Sequence, residues 1–371
     1  MKILVAPNSM KGSINAFDFA DVVEDAFLSC SQEFIIRKVP VADGGDFTGE
    51  ILKRKMKAEE IRVNVQGPFG EMVQSKYAVS GNTAIIEMAD ASGIKLVKNQ
   101  ELNPYKASSF GTGQLISDAI EKGCDQIFLG IGGSATVDGG FGMMEALGFQ
   151  FFNENGKKLP GNGKNLIEIS KIQKPGIPKN ISIKIICDVD NPLLGTNGAA
   201  AVFGPQKGAT PEMIPVLEEG LKNWARTIYD ESRKDLINVE GGGAAGGIAV
   251  PLLAFFSAEI VPGANFILSQ LNFAEHVKWA DIVITGEGKI DGQTLNNKAP
   301  FAVAEMARKY RKPVFAIAGS VEQKASSAFD GIYSIVNQPM ALEEAMKDVQ
   351  KLLYNFCYEF AKSIKKLAVN L

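Results

Sequence analysis

The chain has 371 residues, more than one average domain holds, so two domains are the natural expectation. Hydrophobic residues make up 46% and charged residues 22%, a globular balance too apolar for disorder, and the net charge of −3 offers no basic field for nucleic acid or an anionic membrane. A single histidine, His276, nearly excludes a Ser-His-Asp triad or a multi-histidine metal site, and Cys30, Cys124, Cys187 and Cys357 form no CxxC pair, which argues against a zinc knuckle or a disulfide scaffold.

In chain order, residues 2–7 (KILVAP) read as a strand, and the run is too short for a secretory signal. A helical pattern follows at residues 16–28 and a second apolar run at residues 34–41 (FIIRKVPV), completing a strand–helix–strand unit. Residues 61–65, 73–79 and 83–88 read as three short strands joined by GPFG and GN turns, an antiparallel meander. A helix is predicted at residues 111–122, strands at 126–130 and 180–187, and a long helix at 210–233 with Thr210 as N-cap and Pro211 in its first position. GGGAAGG at residues 241–247 is either a hinge or a backbone that must approach something closely. His276 reads as a helix-surface or helix-end residue ahead of a strand at 281–285. A helix at 299–310, strands at 313–318 and 331–336, and an amphipathic stretch at 342–366, one helix or two, complete the pattern.

Outside the meander the strands are nearly continuous apolar runs, as in a parallel sheet covered on both faces. The expected fold is therefore α/β, with a doubly wound parallel-sheet domain built from residues 1–59 and 265–371 and a mixed α/β domain inserted at residues 60–264. No apolar run reaches the ~20 residues of a membrane span, and a cytoplasmic location is expected.

Five polar, glycine-flanked clusters follow predicted strands, where open α/β sheets bind ligands. In NSMKGS, Lys11 stands between a strand and a helix, placed to reach an anion at the helix N-terminus, with Ser13 as a competing cap. DGGD holds Asp43, Gly44, Gly45 and Asp46. GIGGSA is literally the relaxed G-x-G-x-x-A fingerprint, yet no acid stands at a strand end ~20 residues on, so a phosphate cradle fits better than a nicotinamide site. Within and after it Gly132, Gly133, Ser134 and Thr136 supply amides and hydroxyls, and Asp138 stands at a helix start, where capping is the competing role. In DVDN, Asp188 and Asp190 point the same way on an extended chain and suit a magnesium ion or a lysine partner. GEGKIDGQT gathers Glu287, Lys289, Asp291 and Thr294 in one loop, and FGPQKGA adds Gln206 and Lys207 as phosphate candidates or turn residues. Acids, glycine-rich loops and loop lysines without histidine match phosphoryl transfer, although no Walker A or protein-kinase signature occurs.

These segments, with VADGGD, FGTGQLI, GIGGSATVDGG, CDVDNPLLG, GAAGG and ITGEGKIDGQT in order along nearly the whole chain, resemble the bacterial glycerate kinase family. The resemblance implies a flavodoxin-like domain and one similar to the restriction-endonuclease core, ATP with Mg2+, and transfer of the γ-phosphate to a hydroxyl of D-glycerate; docking of glycerate in a cleft between the domains is the accompanying expectation. On this reading Lys11, Asp190 and Asp291 are catalytic, and Asn8, Ser13, Asp43, Gly44 and Gly45 bind substrate. Gly132, Gly133, Ser134, Thr136, Lys207 and Glu287 bind nucleotide, and Asp188 and Asp190 hold the metal. The partners are small molecules, not nucleic acid or membrane, and a homodimer is one compatible assembly.

The chain departs from the family pattern at Asn8, where Asp is usual, at Asp46 and Phe47, where Glu and Gly are usual, and at Val137, where Asn is usual. An amide at position 8 accepts hydrogen bonds but not a proton as a base. An NAD-dependent oxidoreductase and a non-catalytic sugar-acid sensor are the alternative readings.

Overall fold

The computed structural model describes residues 1–45, 47–97, 101–176, 180–292, 294 and 298–368, so Asp46 and Gln293 of the clusters above lie outside it. In its first third the elements are β1 (Lys2–Pro7), α1 (Ala16–Cys30), β2 (Ile35–Lys38), α2 (Thr48–Met56), β3 (Glu59–Gln66), β4 (Met72–Ser80), β5 (Thr83–Glu87), α3 (Ala89–Ser92) and α4 (Phe110–Glu121). Next come β6 (Gln126–Gly130), α5 (Phe141–Ala146), β7 (Gln150–Phe152), β8 (Lys171–Gln173), β9 (Ser182–Cys187), α6 (Ala199–Phe203), α7 (Met213–Ser232), α8 (Ala249–Phe255) and β10 (Ser257–Pro262). The chain ends with α9 (Gly263–Gln270), α10 (Phe273–Trp279), β11 (Ile282–Ile290), α11 (Ala299–Lys309), β12 (Val314–Val321), β13 (Gly331–Ser334), α12 (Leu342–Lys347) and α13 (Val349–Ala368). Two compact units result, Met1–Ile51 with Pro262–Leu371, and Leu52–Val261. No helix among the described residues is long and apolar enough to cross a membrane.

The first unit is built on a parallel sheet in the order β13-β12-β11-β1-β2. That is the flavodoxin-like order, with its reversal of direction between β1 and β11. Helix α1 starts where the Asn15 side chain accepts the N–H groups of Phe17 and Asp18, both at 2.9 Å. Its Phe19, Ala20, Val23 and Phe27 recur at helical spacing and are buried with Ile3 and Val5 of β1 and Leu353, Cys357 and Ala361 of α13. Each large apolar side chain buried there is worth about 1.5–3 kcal/mol. Asn15 is thus the cap, and the hydroxyl of Ser13 donates instead to the carbonyl of Met346 at 3.1 Å.

Strand β11 is longer than the apolar run DIVIT. Neighbouring β12 pairs with it as far as Ile290 opposite Val321, so GEGKI stays extended despite two glycines and is not loop. The amphipathic C-terminal stretch forms two helices, α12 and α13, that meet at Asp348.

The second unit is built on a six-stranded sheet in the order β10-β9-β6-β5-β4-β3. Strands β3, β4 and β5 form the antiparallel meander, and β5, β6 and β9 run parallel. Helix α7 begins at Met213 rather than at Pro211. The Thr210 carbonyl accepts the N–H groups of Met213 and Ile214, and Glu212 takes the cap position. From α7, the fully buried Trp224 stacks on Phe141, packs edge-on to Phe151, and donates its indole N–H to the Gly139 carbonyl at 2.8 Å.

Candidate active site

In the first unit, parallel register sets Pro7 of β1 beside Gly286 of β11, and the Asn8 N–H donates to the Gly286 carbonyl at 2.8 Å. Asn8 is buried at the carboxyl ends of these strands, at the reversal point of the sheet. Its Oδ1 accepts from the Ser9 N–H at 2.8 Å, and its Nδ2 donates to Asp43 Oδ2 at 3.3 Å. Asp43 precedes a turn in which the Gly44 N–H donates to Thr48 Oγ1 at 3.1 Å and the Gly45 carbonyl accepts the Thr48 N–H at 3.4 Å. Gly44 has φ +102° and Phe47 has φ +70°. The left-handed backbone at Phe47, costly for a residue with a Cβ, stands where the resembled pattern has glycine.

Glu287 follows on β11 and is 6% exposed. Its Oε1 accepts from Thr294 Oγ1 at 2.7 Å, while the Thr294 hydroxyl oxygen accepts the Asp291 N–H at 3.0 Å. Burial pushes the Glu287 carboxyl up to about 7; the Thr294 hydrogen bond and the charge of Lys298 oppose this, and the charges of Asp43 and Asp291 reinforce it. Asp291 is ion-paired with Lys289 at 3.0 Å, and Lys289 reaches Glu322 at 2.7 Å.

Lys11 is exposed in the turn between Met10 and Ile14, and no ion pair or hydrogen bond of its ammonium is found among the described residues. The turn packs on β11, since a Cβ at Gly288 would stand 3.6 Å from Met10 Cα and 3.7 Å from Lys11 N. The expected anion site at the N-terminus of α1 is not available as drawn from sequence, because Asn15 caps it and Asp18 adds negative charge in the first turn.

In the second unit, register sets Glu87, Gly130 and Ile186 side by side, so the segments after β5, β6 and β9 leave one sheet edge together. The glycine-rich segment after β6 does not open a helix. It docks on residues 92–94 through Ile94 N–H to the Gly133 carbonyl and Ala135 N–H to the Ser92 carbonyl, both at 2.9 Å, and α5 begins only at Phe141. This is not the strand–turn–helix geometry of a dinucleotide site. Gly133 is exposed at the tip with φ +71°.

Lys207 is 2% exposed, and its ammonium donates to Ser134 Oγ and the Thr136 carbonyl, both at 2.7 Å. Burial lowers its proton affinity to about 7, with Asp138 opposing. Lys207 therefore braces the Gly132–Thr136 segment from inside. Thr136 is fully buried, and its Oγ1 has no partner among the described residues.

Asp138, also fully buried, accepts from the Ser109 N–H, the Ser109 hydroxyl and the N–H groups of Gly140 and Gly142. Burial raises its proton affinity and these bonds pull the other way. It ties together the starts of α4 and α5, a wider task than capping one helix. GGGAAGG is a close approach rather than a hinge: a Cβ at Gly246 would lie 2.2 Å from the Thr136 carbonyl oxygen, and one at Gly243 2.1 Å from that of Pro192. Asp188 and Asp190 are exposed past β9, and no group of three or more metal-ligating side chains forms among the described residues.

Sequence reasoning missed Ser109, Lys298 and Glu322. Ser109 precedes the α4 pattern and was discoverable as a capping position, whereas Lys298 and Glu322 are placed only by tertiary structure.

A family model described as the glycerate kinase family matches residues 3–365. A protein of Halalkalibacterium halodurans named glycerate kinase is 43% identical over 95% of both chains. A protein of Escherichia coli K12 named glycerate 2-kinase is 40% identical over 94% of this chain and 93% of its own. A crystal structure from Salmonella typhimurium LT2, named as glycerate kinase 2, superposes with a TM-score of 0.88 at 38% identity over 100% of both chains. With its flavodoxin-like sheet, its acid cluster at the β1–β11 reversal and its braced glycine segment, the chain belongs to the glycerate kinase family.

Proposed function

We propose that the protein is an ATP-dependent glycerate kinase that transfers the γ-phosphoryl group to the C2 hydroxyl of D-glycerate, giving 2-phosphoglycerate and ADP. The family match and two sheet-edge sites support this reading. One carries an exposed lysine in a turn that packs on β11, the strand that bears Glu287, and the other a glycine- and hydroxyl-rich segment on the sheet edge that also leads to two exposed carboxylates. The C2 position follows the 40% identical relative named glycerate 2-kinase.

Phosphoryl transfer asks a protein mainly for positioning and charge stabilisation. Lys11 offers a mobile point charge for a phosphate or for the glycerate carboxylate. Gly132 and Gly133 offer the backbone amides of the nucleotide-phosphate cradle, and Ser134 and Thr136 fix its shape through the Lys207 ammonium from within. The fit to Mg2+ rests on donor chemistry. Asp188 and Asp190 are two exposed hard-oxygen ligands at that same sheet edge, a number suited to an ion that otherwise binds phosphate and water. When bound with ATP, such an ion neutralises phosphate charge.

ADP release coupled to NADH oxidation, with D-glycerate, ATP and magnesium, tests the activity, and the phosphorus NMR spectrum of the product tests the position. Turnover with phosphate on C2 is expected. ADP release no faster than without acceptor would overturn the kinase reading, and phosphate on C3 would overturn the regiochemistry.

A further inference from the structure

Given the kinase reading above, the geometry points to Glu287 as the general base that takes the proton of the attacking glycerate hydroxyl. A base for this step must be a carboxylate at the ligand-binding edge of a sheet, not neutralised by a cation, and with room to change protonation state. Three carboxyls meet at the β1–β11 reversal. Asp291 is committed to the ammonium of Lys289 at 3.0 Å. Asp43 accepts from the amide of Asn8 at 3.3 Å. Glu287 forms no ion pair among the described residues, and a hydrogen bond from Thr294 at 2.7 Å holds its Oε1. That bond sets the orientation of the carboxyl, as an orienting partner does for a catalytic base.

The neighbours of Glu287 agree with this role. Asp43 from the segment after β2 and Asp291 from the end of its own strand raise its proton affinity, and Lys298 at the start of α11 lowers it. Lys11 sits in the turn that packs on Gly288, the next residue, and Lys289 is held by Asp291 and Glu322. Burial dominates and leaves the carboxyl near neutrality, where a base both holds and releases a proton readily. Asn8, by contrast, is buried at the same edge with an amide that has no basic function.

In the step, the glycerate O–H bond breaks as its oxygen bonds to the γ-phosphorus, and the proton passes to Glu287. The bond from the γ-phosphorus to the bridging oxygen breaks, and ADP leaves with that electron pair. Glu287 returns the proton to solvent before the next turnover.

Glu287→Gln and Glu287→Asp in the full chain, assayed by ADP release across pH 5.5–9 with ATP and glycerate binding measured by calorimetry, decide the matter. For Glu287→Gln, kcat is expected to fall by roughly 10²–10⁴-fold while both ligands still bind. The acidic limb of the wild-type kcat/KM profile, with its midpoint near 7, should vanish from the residual rate. Glu287→Asp, which keeps a carboxylate at shorter reach, should recover part of the rate and the limb. A glutamine variant within threefold of wild type, or one that keeps the same acidic limb, overturns the assignment. An inactive wild-type protein would instead refute the kinase reading itself, so the two failures are distinct.

Discussion

Replacing Glu287 by glutamine should change how stability depends on pH, independently of any activity. In the folded chain burial lifts this carboxyl from 4.5 to about 7. Below pH 4.5 it is protonated in both folded and unfolded chains and costs nothing. Between 4.5 and about 7 the folded chain keeps a proton that the unfolded chain has released, so stability falls as pH rises. Above 7 the whole cost of the buried charge is present. At about 1.4 kcal/mol per tenfold change in proton affinity, that cost is about 3 kcal/mol. Glutamine keeps an oxygen that can accept from Thr294 and has no proton to lose. Other titrating groups are shared by the two proteins and largely cancel in the comparison. Melting followed by circular dichroism at pH 5 and pH 8 measures the difference. Relative to the variant, the wild type should lose roughly 6–12 °C in Tm on going to pH 8, at about 2–4 °C per kcal/mol for a unit of this size. An equal Tm gap at both pH values would show that Glu287 is not buried in this way and would remove the physical basis for a near-neutral base.

The remaining expectations follow from single side chains. Lys11→Ala should cut kcat/KM by at least ~10²-fold if its ammonium contacts the transferring group, and a near-wild-type rate in the ADP-release assay removes it from the site. Lys207→Met leaves Ser134 and the Thr136 carbonyl without their donor and Asp138 without a nearby cation, so KM for ATP should rise about tenfold or more while KM for glycerate is unmoved. Equal changes in both constants would show a general loss of structure. Thr136→Val should raise Tm, because a buried hydroxyl without a partner costs about 1–3 kcal/mol. A lowered Tm would show that the hydroxyl is satisfied in solution.

The fold was legible wherever one pattern settled the structure locally. Continuous apolar runs marked β1, β11 and β12, and the spacing of Phe19, Val23 and Phe27 marked α1. Pattern failed where a neighbour decided the outcome. GEGKI has the composition of a loop, yet β12 holds it in the ladder, and this extension carries Glu287 to the sheet edge. The site was legible as a set of clusters but not as a set of roles, because a residue's role depends on which of its atoms are already engaged. Ser13, Lys207 and Asp138 all read as ligand-facing or capping residues, but their hydrogen bonds go to Met346, to the Thr136 carbonyl and Ser134, and to Ser109, Gly140 and Gly142. Asn8 is the most instructive case. Sequence comparison marks it as a lost acid, but the structure shows an amide that joins β1 to Asp43 and so keeps the acid cluster assembled. On the assignment of Glu287 as base, the carboxyl that takes the proton stands on the neighbouring strand β11 and not at position 8. Loss of an acid at one position is therefore compatible with a working base, provided that the sheet brings another carboxyl to the same reversal point and buries it.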